Sequence, residues 1–227
     1  MKIDSMSATP IFSVVIPAAG LSRRMGCPKL LLPWGESTVI ETLIRELQLA
    51  GIQQIVIVLR QSDTNLRQTI RNLDVIAVTP ELDPPDMRSS IELGLQHIHS
   101  NWTCEGGWFL IPADHPLVTA ATIKTLRAEW RPEVPQILIP TFGGQRGHPT
   151  LFSWNFASEV NQTPPKNGVN WLVRNRSSAI CEVHVDDAGV TADMDSPEDY
   201  ARLRESWQRK DPGAITARLP ADSGDST

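Results

Sequence analysis

Cysteine is scarce in this chain. Cys27, Cys104 and Cys181 stand far apart, and no C-x-x-C pair occurs. An odd, dispersed set supports neither a disulfide framework nor a zinc ribbon, and reads as reduced thiols. No apolar run approaches the roughly 20 residues of a membrane-spanning helix. The first ten residues are polar and lack the apolar core of a signal peptide. The cytoplasm is therefore the expected location. Basic excess is missing too, since the net charge is −5. That argues against nucleic acid or a membrane surface as partner, because either calls for a basic face. The seven Trp accordingly read as core and rim, not as stacking platforms. His97, His99, His115 and His184 show no ligand spacing, and no internal repeat is visible. Neither the G-x-G-x-x-G dinucleotide fingerprint nor the G-x-x-x-x-G-K-[ST] P-loop is present.

What is present is a chain of 227 residues, 41% hydrophobic and 21% charged. That suits one packed domain. Its most informative stretch is Val14 to Leu32, VVIPAAGLSRRMGCPKLLL. Val14, Val15 and Ile16 are apolar without alternation, as in a strand buried on both faces. Ala18, Ala19 and Gly20 follow, small enough for backbone N–H groups to approach an anion. Arg23, Arg24 and Lys29 then place three cations within seven positions. The pattern suits a triphosphate. On spacing alone, a strand followed by a basic surface loop stands as the alternative.

Downstream, apolar strands alternate with helices. Thr38 and Glu41 form a capping-box pattern at the start of a helix that Gly51 stops. Strands are expected at Ile55–Leu59, Val75–Val78, Trp108–Ile111 and Ile137–Ile139. Helices are expected from Asp63 to Arg71, from Ser89 or Ser90 to His99, and from Thr119 to about Trp130. This rhythm implies βαβ units around a parallel sheet, with ligands beyond the carboxyl ends of its strands. The first loop and Pro112–Pro116 both fall there. After Pro140, glycines surround Arg146 and His148. A helix over about 169–174, behind Pro164 and Pro165, and a half-exposed strand over Ile180–Val185 come next. Ser196 and Pro197 then open a last helix. The expected domain is 11–209, with flexible termini at 1–10 and 210–227.

Asp114, in IPADHP, follows a strand. A carboxylate there can hold Mg²⁺ against phosphate oxygens, although an isolated loop Asp more often caps or turns. Asp193 and Asp195, in DMDSPED, are an i, i+2 pair. On a strand both side chains would share a face, and a cation between them would relieve their repulsion. An acidic turn before the last helix is the other reading.

Ala18-Ala19-Gly20-Leu21-Ser22-Arg23-Arg24-Met25-Gly26-Cys27-Pro28-Lys29 resembles the signature of the MobA-like NTP transferases, in particular the molybdenum cofactor cytidylyltransferase branch. The guanylyl branch usually reads A-G-G where this chain has Ala18-Ala19-Gly20. IPADHP resembles that family's G-D-x-P metal motif, with Ala113 in place of Gly. DMDSPED resembles its D-x-D-T-P-E-D segment. Asp86-Met87-Arg88-Ser89-Ser90 resembles its nucleotide-lining G-M-x-S-S-L, with Asp86 where Gly is usual. Arg146-Gly147-His148-Pro149 resembles the R-G-H-P of the cytidylyl branch. The segment from Asn167 resembles a stretch that bounds the acceptor site. The resemblance covers about Val14 to Leu203.

The resemblance implies an α/β fold: a Rossmann-like, glycosyltransferase-A type three-layer sandwich with a mainly parallel sheet. It implies a Mg²⁺-dependent nucleotidyltransferase. CMP is the first choice and GMP the second, moved from CTP or GTP to a phosphate-bearing small-molecule acceptor of the molybdopterin type, with release of pyrophosphate. Arg24, Lys29 and Asp114 would be catalytic. Ala18, Ala19, Gly20, Ser22, Arg23, Ser89 and Ser90 would bind the nucleotide. Asp114 with Asp193 or Asp195 would hold the metal, and Arg146, His148 and Asn167 the acceptor. A molybdoenzyme would be a partner. The alternatives are a sugar- or alcohol-phosphate nucleotidyltransferase on the same fold, and a non-enzymatic nucleotide- and cofactor-binding partner of a molybdoenzyme.

Overall fold

A computed structural model describes residues 10–164 and 167–210. The expectation of flexible termini falls almost wholly outside these residues, as does Pro165.

The chain opens with β1 (Ser13–Pro17), then a loop and the small hairpin of β2 (Pro33–Trp34) and β3 (Ser37–Thr38). Next come α1 (Val39–Leu49), β4 (Gln54–Val58), α2 (Thr64–Ile70) and β5 (Ile76–Val78). They are followed by α3 (Met87–Asn101), β6 (Gly107–Leu110) and α4 (Ala120–Ala128). Then β7 (Ile137–Phe142), β8 (Gln145–Arg146), β9 (Thr150–Ser153) and α5 (Ala157–Val160) form a meander and a short helix. The described chain closes with α6 (Asn170–Asn175), β10 (Ile180–His184) and α7 (Pro197–Lys210).

The main sheet runs β10-β7-β9-β6-β1-β4-β5, with β8 paired to β7. The β10–β7, β6–β1, β1–β4 and β4–β5 pairs are parallel. β9 runs antiparallel to β6 and β7 on either side of it. The sheet is thus mostly parallel, with helices on both faces, as expected of a Rossmann-like α/β fold. Alternation within strands sorts side chains between two cores. Val14 and Ile16 of β1 and Ile55 and Ile57 of β4 pack beneath α1, α2 and α4. Val15, Val56 and Val58 pack beneath α3, α5 and α6. Both faces are dry, so these strands are continuous apolar runs in the sequence.

Local chemistry sets the helix starts. Thr38 and Glu41 form the capping box, with Glu41 accepting from the Thr38 N–H at 2.8 Å. Asp63 precedes α2 but does not cap it. Its carboxylate instead accepts from the backbone N–H and guanidinium of Arg60.

Three segments far apart in sequence are laced together below the carboxyl ends of β6 and β7. Gly147 donates to the Pro140 carbonyl, and His148 to the Val190 carbonyl at 2.7 Å. A Cβ at Gly147 would lie 2.1 Å from the Val190 oxygen, so only glycine permits this approach. The His148 ring meets the buried His115 ring edge-on, with centroids 4.9 Å apart. Burial, reinforced by His115, pushes the His148 imidazole down to about 4, against the pull of Asp114 and the Leu110 backbone. Burial also lowers His115, again against Asp114.

His148 therefore binds its proton more weakly in the folded chain than in the unfolded one, where its pKa is near 6.5. Its contribution to stability is complete above pH ~6.5 and is lost as pH falls from there toward ~4. The expected loss is at most about 3.5 kcal/mol, from roughly 1.4 kcal/mol per pH unit. Urea unfolding midpoints measured between pH 7 and pH 4.5 check this, and His148→Gln should flatten the dependence.

Candidate active site

The first loop leaves the sheet late. The Ala18 N–H still donates to the Val58 carbonyl at 2.9 Å, and the Ala18 side chain is buried. Ala18 thus continues the strand, and its N–H is not available to an anion, contrary to the expectation from sequence. From Ala19 to Arg24 the backbone N–H groups meet no acceptor among the described residues. Ser22 takes a left-handed conformation at φ 47°, and its carbonyl accepts from Met25 and Gly26. This tight turn buries Met25 as an anchor and leaves Arg23 and Arg24 exposed. Gly20 faces open space where a Cβ would stand.

Lys29 begins the 3₁₀ turn Lys29–Leu31, which the buried Leu30 fastens to the core. Its ammonium donates to Asp114 Oδ2 at 2.8 Å, to the Met194 carbonyl at 2.9 Å and to Asp195 Oδ1 at 3.1 Å. Side-chain exposure is 14% for Lys29, 21% for Asp114 and 27% for Asp195. At that burial, removing one partner leaves an uncompensated charge, so the cluster stands or falls together. Arg24 Nη2 adds a bond to Asp195 Oδ2 at 2.7 Å from a largely exposed position, where an ion pair is worth little by itself. The Met194 N–H donates to the Asp114 carbonyl at 3.0 Å, and the Met194 side chain is buried. This bridge ties the segment before α7 to the loop after β6.

These residues line a cleft of about 460 Å³, within the range of small-molecule sites. The loop from Pro17 to Arg24, Lys29, Ser90, Pro112 to Asp114, and Asp195 all face it. Asp86 and Met87 of the expected nucleotide-lining motif face it too, as do Arg60 and Asp83 to Pro85, which were missed by the sequence reading. Arg60 donates to the Asp63 carboxylate at 3.2 Å and to the Gly20 carbonyl at 3.4 Å. The available signal was position: Arg60 follows β4 at the same sheet edge as the first loop.

Other expected residues lie elsewhere. The Ser89 hydroxyl donates to the Asp86 carboxylate at 2.8 Å. Ser89 faces a second cavity of about 1000 Å³, behind the wall formed by Asp83 to Pro85. Asp86 is the N-cap of α3, accepting from the Ser89 N–H at 2.8 Å, and that bond holds its carboxyl below the usual range. The segment carrying Asp193 and Asp195 is not a strand, so the shared-face argument does not apply. Asp195 meets Lys29, whereas Asp193 is exposed and reaches His115 only through its field. Arg146 is exposed and ion-paired to Glu182 of β10 at 2.6 Å. His148 packs on His115 behind the Asp114 loop, and Asn167 is exposed. None of these three lines the cleft.

Among the described residues no group of three or more His, Cys, Asp or Glu is arranged to hold a metal. The Asp114 and Asp195 carboxylates and the Met194 carbonyl nevertheless converge on one cationic point, now satisfied by Lys29. Hard oxygen donors of that number suit Mg²⁺, which takes one or two protein carboxylates and fills its shell with water and substrate phosphate.

The molecule has close counterparts. A 194-residue match at 26% identity, spanning 85% of this chain and 95% of the relative, is the molybdenum cofactor cytidylyltransferase of Escherichia coli K12. A probable molybdenum cofactor guanylyltransferase of Bacillus mycoides KBAB4 matches at 27% identity over 58% of this chain and 62% of its own length. Among solved structures, Rv0371c of Mycobacterium tuberculosis H37Rv superposes with a TM-score of 0.72 at 30% identity, covering 87% of this chain and 99% of that one. A manganese complex of Rv0371c superposes at 0.69 with 28% identity, covering 87% and 100%. Among the described residues no helix is long and apolar enough to cross a membrane. The model of the MobA-like NTP transferase domain matches residues 14–180, and with a nucleotidyltransferase fold and a charged cleft in place, the chain belongs to that family of nucleotidyltransferases.

Proposed function

We propose that residues 11–209 form a Mg²⁺-dependent nucleotidyltransferase domain. It moves CMP, with GMP the second choice, from the nucleoside triphosphate to a phosphate of a molybdopterin-type acceptor, releasing pyrophosphate. The observation that carries this reading is the Lys29 ammonium clasped by Asp114 and Asp195 beneath a loop of open N–H groups. CTP is favoured by Ala18-Ala19-Gly20, by RGHP, and by a match that spans 95% of a cytidylyltransferase.

The proposed roles follow from charge and placement. The N–H groups from Ala19 onward cradle the triphosphate, joined by Ser22, Arg23 and Ser90. Arg24 and Lys29 offset the charge on the triphosphate and on departing pyrophosphate. Asp114 and Asp195 would hold Mg²⁺, which when bound supplies charge neutralisation at the phosphate oxygens. No covalent nucleophile is required, because an acceptor phosphate oxygen attacks the α-phosphorus directly and the protein chiefly positions the reactants. Arg146 reaches an acceptor phosphate only by leaving Glu182. His148 supports the Asp114 loop through His115, and the acceptor role of Asn167 rests on the sequence resemblance alone.

Pyrophosphate release with CTP, Mg²⁺ and a molybdopterin acceptor tests this reading. Lys29→Ala and Asp114→Ala should each lower turnover on the order of a hundredfold, as loss of a preorganised charge does. Full activity in purified Asp114→Ala would remove it from the site. Asp195→Asn should lose activity on a similar scale. Asp193→Asn should change turnover about fivefold or less, as befits an exposed charge; the reverse order would exchange their roles.

A further inference from the structure

The carboxylate of Asp195 is only as well placed as its backbone, and that backbone lies just before the first turn of α7. The segment from Asp193 to Asp195 belongs to no helix or strand. On its N-terminal side, Met194 anchors it to Asp114. On its C-terminal side begins α7, with Ser196 before Pro197 and Asp199 in the first turn.

Asp199 does more there than an ordinary capping residue. In a capping box the third helical residue returns a carboxylate to the N-cap N–H, while the N-cap hydroxyl accepts from its backbone. Both bonds are present: Ser196 N to Asp199 Oδ2 at 3.1 Å, and Asp199 N to Ser196 Oγ at 3.2 Å. The same Oδ2 also accepts from the Ser196 hydroxyl at 2.9 Å and from the backbone N–H of Asp195 at 3.3 Å. The last of these bonds lies outside the helix and is directed at the residue whose two carboxylate oxygens meet Arg24 and Lys29. The other oxygen, Oδ1, accepts from Arg202 at 2.9 Å, one turn along α7. Asp199 is therefore fixed from the helix side and grips the Asp195 peptide from the cleft side. α7 is itself held down: Tyr200 donates to the Pro33 carbonyl at 2.6 Å, and Trp207 packs on Trp34.

We infer that Asp199 is a positioning residue for the nucleotidyl-transfer site, fixing the Asp195 backbone so that its carboxylate faces the cation-binding point beside Asp114. This rests on the reading of Asp195 as a cation ligand.

Mn²⁺ alone, titrated into the full chain with the free ion read by electron paramagnetic resonance, tests the inference alongside Tm. Asp199→Ala should weaken Mn²⁺ binding about tenfold, the low end for residues that orient a metal ligand. Asp199→Asn keeps an oxygen acceptor and should restore most of the affinity. Ser196→Ala removes the N-cap hydroxyl but not the Asp195 contact. It should lower Tm about as much as Asp199→Ala while changing Mn²⁺ affinity about twofold or less. Equal losses of Tm with wild-type Mn²⁺ affinity in Asp199→Ala would overturn the positioning role and leave a plain helix cap. Asp195→Asn, run in parallel, separates the two claims. If it binds Mn²⁺ as the wild type does, Asp195 is not a ligand and the inference falls with that reading. If it weakens binding while Asp199→Ala does not, only the positioning role fails.

Discussion

One ammonium group clasped by two carboxylates ties the cleft together. Lys29, Asp114 and Asp195 come from three parts of the chain and meet within 3.1 Å. At their degree of burial, like-charged carboxylates so placed need a cation between them. The fold must therefore deliver three segments to one point, and much of its irregular structure serves that delivery. The 3₁₀ turn carries Lys29, the loop after β6 carries Asp114, and the bridge from Met194 to Asp114 brings Asp195 across. A basic loop, whose N–H groups meet no acceptor among the described residues, lines the same cleft. An arrangement that balances its own charge and still offers open donors is suited to a polyanion that arrives with its own metal.

The sheet supplies the rigid frame. β1, β6 and β4 are adjacent and parallel, so their carboxyl ends form one edge, and the loops that follow them share one cleft. β9 runs antiparallel between β6 and β7, and the short β8 is antiparallel to β7 as well. The chain enters β9 through Gly147 and His148, which lie against Val190 and behind His115. His148 thus stands behind the Asp114 loop through its contact with His115, while Arg146 is exposed and paired with Glu182. A residue with a conspicuous sequence signature can act two contacts away from the cleft it serves.

Much of this was legible in the sequence because both sheet faces are covered. Val14–Ile16 and Ile55–Val58 are continuous apolar runs for that reason, and Thr38 with Glu41 announces α1 through a bond pattern that is purely local. β9 carries no such mark: four residues, TLFS, between a proline and a tryptophan give no periodicity, and its place in the sheet is set by partners 13 or more residues away. Arg60 was illegible because a lone Arg after a strand gains meaning only when the neighbouring loop arrives. Ser89 was misplaced because Asp86 competes for its hydroxyl, turning a nucleotide-lining motif into a helix cap. Asp193 and Asp195 could not be separated by period-2 reasoning because their segment is not a strand. Which of them meets Lys29 depends on the Met194 bridge and on the start of α7.

The central claim is that the cleft takes a nucleoside triphosphate together with a divalent cation. Thermal unfolding of the full chain with CTP, GTP, ATP or UTP, each with and without Mg²⁺, tests it most directly. A ligand at about 100 times its Kd that binds only the folded state adds about 2.7 kcal/mol. The account predicts a rise in Tm with CTP that requires Mg²⁺, and a smaller rise or none with ATP and UTP. An unchanged Tm with every nucleotide, or a CTP shift indifferent to Mg²⁺, would contradict it.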